Sequence, residues 1–229
     1  MGEHWRNDWL SQGIRFSSVP LSNHANTSAL DVEAISEVSP SEIEVRLNQA
    51  LEDDDWSAQV EISRLSLNKF GEQLTDRALA HVHNICADAL FNDESRDLRT
   101  RIEDAINHYK EALKIYSPQE YPEEWADCMT NLSVAYSRRI DGRPEENIDV
   151  SIQLLERTRE IYTRESHPRK WAIGEMNLGS SYGHRLVGDR ATNEEAELSH
   201  YCAAETVVRF DTQTRNVGDA TVKYRRKLY

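Results

Sequence analysis

A segment of this chain occurs twice, 46 positions apart, and this repeat constrains the fold more than any other feature. PEEWADCMTNLSVAYSRRIDG spans residues 122–142 and PRKWAIGEMNLGSSYGHRLVG spans residues 168–188, with eight identities in 21 positions. The chain has only 9 Gly and 6 Pro, and no stretch alternates apolar and polar residues as a strand does. A self-similar period of this length predicts an all-α chain built from stacked helical pairs.

Helix signals continue on both sides of the repeat. Ser39 or Ser41 is placed to cap a first helix, and short connectors rich in Asn, Asp, Gly and Pro separate the later helices. Extending the period backwards places Ala80 beneath Ala126, which indicates a degenerate earlier copy. We predict helices at about 41–52, 56–70, 75–91, 98–117, 122–140, 147–164, 168–186 and 194–210, and a short one near 217–228.

The composition divides the chain into four predicted segments. Residues 1–38 form a polar segment that is partly disordered or docks elsewhere, and residues 39–74 form flanking helices. Residues 75–210 hold the repeats, and residues 211–229 form a basic capping helix. The charges of this last helix are Arg215, Lys223, Arg225, Arg226 and Lys227 against Asp219.

The repeated residues resemble those of the tetratricopeptide repeat family. EDAINHYKEALKIY is similar to that family's second helix, and NLSVAYSRR and NLGSSYGHR resemble its Leu-small-x-x-Tyr first helix. The resemblance covers residues 75–210 and is to long-period bacterial arrays, which often accompany caspase-like peptidase or nucleotide-binding signalling domains. It implies a right-handed solenoid of helical hairpins, with about three repeats plus flanking helices. The period of 46, against the usual 34, implies longer helices or connectors.

Most of the repeated residues have a structural interpretation. Trp125, Leu132 and the Tyr four residues later lie along one side of a helix, where we expect them to pack on the next helix. Pro122 suits the first turn, where its missing N–H costs nothing. Ser133 or Gly179, beside the core Leu, is expected to let the second helix approach closely.

Asn131 and Asn177 are repeated residues that packing does not readily explain. Each precedes the core Leu and so lies about 100° around the helix from it. In tetratricopeptide arrays this first-helix face lines a groove that holds a partner peptide, and an amide both donates to and accepts from a main chain. The alternative, an Asn that bonds a neighbouring helix, stays open. The resemblance implies a partner-binding set of Asp127, Asn131, Val134, Arg138, Ile173, Asn177, Ser180 and His184.

Basic residues at the ends of the two repeated segments form one predicted electropositive spot. It suits a carboxylate of a partner, and the competing interpretation is pairing with acidic residues that follow in the chain. The basic residues are Arg138, Arg139, His184 and Arg185, and the acidic ones are Glu145, Glu146, Glu194 and Glu195.

Charge and cysteine usage limit the partners and the compartment. A net charge of -13 argues against a general grip on nucleic acid or an anionic membrane. No run of 18 apolar residues occurs, so we expect neither a membrane span nor a signal peptide. The 3 cysteines are separate, which suits a reducing, cytoplasmic setting.

The sequence offers no catalytic constellation and no cofactor motif. HVHNIC, residues 81–86, lies on a helix where residues two apart do not converge on a metal, and EDDDW, residues 52–56, reads as a turn between helices. We therefore predict a protein-interaction module that binds a peptide or helix, and a larger complex stays open. The alternatives are a regulatory or sensor subunit of a signalling or defence complex and, more remotely, an enzyme on a helical scaffold.

Overall fold

The computed structural model describes residues 40–208, which form eight α-helices and no strand. The prediction of an all-α chain is confirmed over this range. The predicted N-terminal segment 1–38 and the predicted C-terminal helix lie outside the described residues. Helices α1 to α8 span Pro40–Glu52, Trp56–Phe70, Asp76–Asn92, Leu98–Ala112, Pro122–Ser137, Pro144–Thr158, Pro168–His184 and Arg190–Val208, and a 3-10 turn at Gly71–Gln73 follows α2.

The chain divides into two compact units between Ser117 and Pro118. In the first unit α1 packs on α2, α2 on α3 and α3 on α4. The acidic stretch EDDDW is the turn between α1 and α2, as predicted, and the Asp55 carboxylate accepts a hydrogen bond of 2.9 Å from the Ala58 N–H to cap α2. The core between these helices includes the buried side chains of Ile43, Leu47, Ala50, Ile62 and Ile85.

In the second unit α5 packs on α6, α6 on α7 and α7 on α8, and α5 also contacts α7. Pro122, Pro144 and Pro168 stand in the first turns of α5, α6 and α7. A proline in the first turn lacks only an N–H that would have no partner within the helix, and its restricted φ suits a helix. It therefore marks where the helix begins. The prediction for Pro122 and Pro168 is confirmed.

The repeated Trp and Leu are both buried in the first of the two copies and only the Leu in the next, and the repeated Tyr is half-buried in both. Trp125 and Leu132 are buried in α5, and Leu178 is fully buried in α7, whereas Trp171 is only half-buried. The close approach predicted at Gly179 is confirmed, because a Cβ there would lie 3.1 Å from the Glu197 carbonyl oxygen of α8. A side chain at residue 179 would therefore require α8 to move by a few tenths of an ångström.

The second helices of the copies differ from their predicted bounds. The prediction that α4 continues to residue 117 and α6 to residue 164 is wrong, because α4 ends at residue 112 and α6 at residue 158. Beyond Thr158 the N–H groups of Glu160 and Ile161 bond carbonyls three residues back, which tightens the chain out of the α-helix. This turn carries Tyr162 inward, where it is buried. The starts also differ, since α6 begins at residue 144 and α8 at residue 190.

The connectors between first and second helices are built identically in two copies. Gly142 and Gly188 have φ of +81° and +89°, which a residue with a Cβ adopts only with strain. The buried Asn147 donates its amide N–H to the Asp141 carbonyl at 2.8 Å, and Asn193 does the same one repeat later. This second repeated Asn pair was missed in the sequence, and its role is to hold the connector.

Candidate functional site

Seven of the eight predicted partner-binding residues lie on α5 and α7, which are in direct contact, and Arg138 is the residue that follows α5. Along each helix, accessibility increases from the first of these residues to the last. Arg138, directly after α5, is exposed; on α7, Ile173 near the start is buried and His184 at the end is exposed. The residues between them on the two helices, Asn131, Val134, Asn177 and Ser180, are half-buried.

Asp127 is occupied by contacts within the chain. Its carboxylate accepts a hydrogen bond of 2.6 Å from the Tyr162 hydroxyl and one of 2.9 Å from the Lys170 ammonium, which also lies 3.0 Å from the Tyr162 oxygen. We call these three residues the polar junction. Burial raises the pKa of Asp127, and this effect exceeds the opposing effects of the Lys170 charge and the Tyr162 hydrogen bond.

The polar junction joins three segments of the second unit: α5, the turn after α6, and the start of α7. The Lys170 side chain is only 10% exposed, and its ammonium lies 4.8 Å from the centroid of the Tyr162 ring. Burial and the neighbouring Asp127 raise the pKa of Tyr162, so its hydroxyl stays protonated and serves as a donor. The junction is therefore a buried contact between consecutive copies.

Neither Tyr162 nor Lys170 was identified as a site residue in the sequence. One signal was present, because Tyr116 and Tyr162 occupy equivalent positions at the ends of the second helices. Lys170 has no basic equivalent in the preceding copy, where Glu124 stands. A repeat comparison therefore gives no hint of its pairing with Asp127.

We call the first-helix face the predicted residues that are half-buried or exposed and lie outside the polar junction: Asn131, Val134, Arg138, Asn177, Ser180 and His184. Its amides can donate and accept toward an extended chain, and its outer end is basic. The burial of Asn131 and Asn177 is compatible with both interpretations of these residues. The His184 ring donates from Nδ1 to the Ser180 carbonyl at 2.7 Å, which leaves Nε2 as its outward nitrogen.

One residue of the predicted electropositive spot forms an ion pair within the chain, but its partner is not one of the predicted acidic residues. Arg185 donates to Asp149 at 2.8 Å, and its guanidinium lies 6.0 Å from the Tyr182 ring centroid. Predicted acidic partners are instead paired with Arg143 and Arg190, at the starts of the second helices. These pairs are Arg143 with Glu145 and Glu146, and Arg190 with Glu194.

Residues 40–208 contain no group of three His, Cys, Asp or Glu side chains arranged to hold a metal ion. None of the helices in this range is long and apolar enough to cross a membrane. No family model, curated protein or solved structure matches the chain. The tetratricopeptide likeness therefore rests on the repeated residues themselves.

Proposed function

We propose that this chain is a tetratricopeptide-like solenoid of helical hairpins that binds a peptide or helix of a protein partner along the first-helix face. The observation that carries the proposal is the direct contact between α5 and α7, which bear Asn131 and Asn177 at equivalent repeat positions. First helices that touch each other form a layer, and the same side chain recurs along this layer once per repeat. A partner segment lying across the layer meets the same group twice.

The chemistry of the first-helix face suits a main chain more than a particular side chain. An amide supplies both a donor and an acceptor, so two amides on adjacent helices can bond two peptide groups of one extended segment. Val134 and Ser180 add a small apolar contact and a hydroxyl, and both are half-buried. Exposed Arg138 and His184 at the ends of the two helices favour an acidic residue in the partner.

The polar junction supports this role by fixing α7 against α5. Lys170 of α7 reaches Asp127 of α5 at 2.9 Å and Glu123 of α5 at 3.4 Å. Because these contacts hold the two helices together before a partner arrives, binding would not have to order them.

The first experiment identifies the partner and the surface together. A photoreactive phenylalanine analogue at Ser180 of the full chain is expected to crosslink a partner in extracts of the native host. The same analogue at Asn107, an exposed position on α4, is the control and is expected not to crosslink that partner. Equal crosslinking from both positions would place the binding surface elsewhere.

The second experiment measures the contribution of the amides to binding of the identified segment. Asn131→Ala with Asn177→Ala is expected to weaken affinity about tenfold or more, because each hydrogen bond contributes about 0.5–1.5 kcal/mol. The matched control is Asn68→Ala with Asn107→Ala, which removes two exposed amides from α2 and α4. Wild-type affinity in a folded Asn131/Asn177 double variant, measured by calorimetry and circular dichroism, would refute the proposal.

A further inference from the structure

Two histidines face each other between α3 and α4 in the first unit. The Nδ1 atoms of His83 and His108 lie 2.9 Å apart, and both side chains are half-buried. This distance is a hydrogen bond only when one of the two nitrogens carries a proton and the other accepts it. Two protonated rings would direct N–H groups and positive charges at each other, so the contact requires at least one neutral ring.

The charged groups around this pair do little to compensate an added proton. From α2 and α4, Arg64 and Asp104 form an ion pair of 3.1 Å, and after α4 Lys114 pairs with Glu111 at 2.6 Å. Each of these carboxylates is already balanced by a cation. Glu61 of α2 and Arg96, which pair at 2.9 Å, act on the adjacent Cys86 thiol, whose Sγ lies 3.6 Å from His108 Nε2.

Burial is the largest influence on both rings. It lowers the pKa of His83, and it lowers the pKa of His108 to about 4, with His83 and Arg64 acting in the same direction. Burial also raises the pKa of the Cys86 thiol to about 12, so this neighbour stays neutral. Near pH 7 the contact is therefore a hydrogen bond between two neutral rings.

The same two repeat positions hold different chemistry in the other copies. One period later they are Met129 and Leu154, which are apolar. Two periods later they are Glu175 and His200, where Nδ1 of His200 lies 2.8 Å from a Glu175 carboxylate oxygen. Protonation of His200 turns this contact into an ion pair and does not oppose it, whereas protonation of both rings breaks the His83–His108 contact.

We propose that the His83–His108 contact is a pH-sensitive link that holds α3 on α4 near neutral pH and weakens as the pH falls toward 5. At the equivalent positions of the third copy the ring of His200 faces the Glu175 carboxylate, so a proton on that ring is attracted and not repelled. The link is carried by the first unit alone, and it stands independently of the partner-binding role proposed above.

The sign and size of the effect follow from proton linkage. A histidine in the unfolded chain has a pKa near 6.5, so the unfolded chain binds protons first as the pH falls, and stability is lost between pH 6.5 and about 4. The full shift for His108 would change the unfolding equilibrium about 20-fold between pH 7 and pH 5. Because the ring is partly exposed, we expect about tenfold.

Hydrogen exchange with mass spectrometry on the full chain tests the link, with EDTA present to remove stray metal ions. After correction for intrinsic exchange rates, the opening equilibrium of the α3 and α4 amides is expected to rise about tenfold from pH 7 to pH 5. The α7 and α8 amides are expected to change less than twofold. An equal response in both helix pairs would overturn the proposal.

The equivalent residues of the other two copies define two matched variants. His83→Met with His108→Leu installs the residues of the second copy and is expected to remove the pH response of α3 and α4. His83→Glu installs the pair of the third copy and is expected to leave α3 and α4 no looser at pH 5 than at pH 7.

A full pH response that persists in the Met/Leu variant would refute the link. Should a variant fail to fold, an NMR titration of the wild-type histidines decides the question. Depressed pKa values for His83 and His108 support the link, and ordinary values near 6.5 for both exclude it.

Discussion

Asn147→Ala is expected to lower the free energy of unfolding of the second unit by about 1–2 kcal/mol. The Asn147 side chain is 5% exposed, and its amide N–H donates to the Asp141 carbonyl at 2.8 Å and, more weakly, to the Arg139 carbonyl at 3.4 Å. Alanine removes one good hydrogen bond and one marginal one, and it leaves both carbonyls without this donor. For a unit of this size, each kcal/mol lowers Tm by about 4–8 °C.

Asn147→Asp separates the donor from the shape of the side chain. The two residues have nearly the same volume, but a carboxylate presents only oxygen toward the Asp141 and Arg139 carbonyls. We expect a loss of about 2–3 kcal/mol, larger than for alanine, because a buried charge then faces two acceptors. In the next copy the Asn193 amide donates to the Val187 carbonyl at 3.0 Å, so Asn193→Ala is expected to lower the free energy of unfolding by the same amount as Asn147→Ala.

Urea unfolding of the full chain, followed by tryptophan fluorescence, measures these losses. Trp125 and Trp171 report on the second unit. Asn107→Ala, which truncates an exposed amide on α4, is the control and is expected to change stability by less than about 0.5 kcal/mol. Should Asn147→Asp prove no worse than Asn147→Ala, the hydrogen-bond argument fails and only packing remains.

Two further predictions concern two glycines and two cysteines. Gly142→Ala is expected to destabilise the chain by about 1 kcal/mol, because the φ of Gly142 is +81°. Gly71→Ala is expected to be neutral or stabilising in the same urea experiment, because the φ of Gly71 is -50° and no atom lies within 4 Å of an added Cβ. Equal effects of the two substitutions would contradict the backbone argument. In native protein at pH 8, exposed Cys202 is expected to react with a thiol reagent in minutes and buried Cys86 only after unfolding, since burial raises the Cys86 pKa to about 12. Rapid labelling of Cys86, located by peptide mass spectrometry, would show that its site opens readily.

Features that depend on neighbours within one or two helical turns were predicted correctly from the sequence. Pro122 and Pro168 begin their helices because a proline ring suits only the first turn, and the close approach at Gly179 follows from the absence of a Cβ. The predicted ends of α4 and α6 lie several residues beyond the observed ones. For α6 the reason is that Tyr162 fits the sequence pattern as one more apolar residue of the helix. Its burial against Asp127 is a tertiary contact that the periodicity does not contain.

The candidate site divides along the same line. Repeat comparison selected Asn131 and Asn177 because an amide recurs at one position, and it placed both on helices that prove to be in contact. It assigned Asp127 to the same face, but the carboxylate is held by Lys170, which lies 43 residues away in the chain. A pairing over this distance leaves no trace in the spacing of either segment.

The sequence by itself determined that the chain is helical and repeated, and approximately where its helices lie, because hydrogen bonds within a helix and apolar periodicity are local. Only the tertiary structure decided which polar side chains meet. It joined Lys170 to Asp127 and His83 to His108, and it kept Asn131 and Asn177 on adjoining helices. The physical reason is that the energy of a buried polar group depends on the partner that folding brings to it, and that partner lies on another helix.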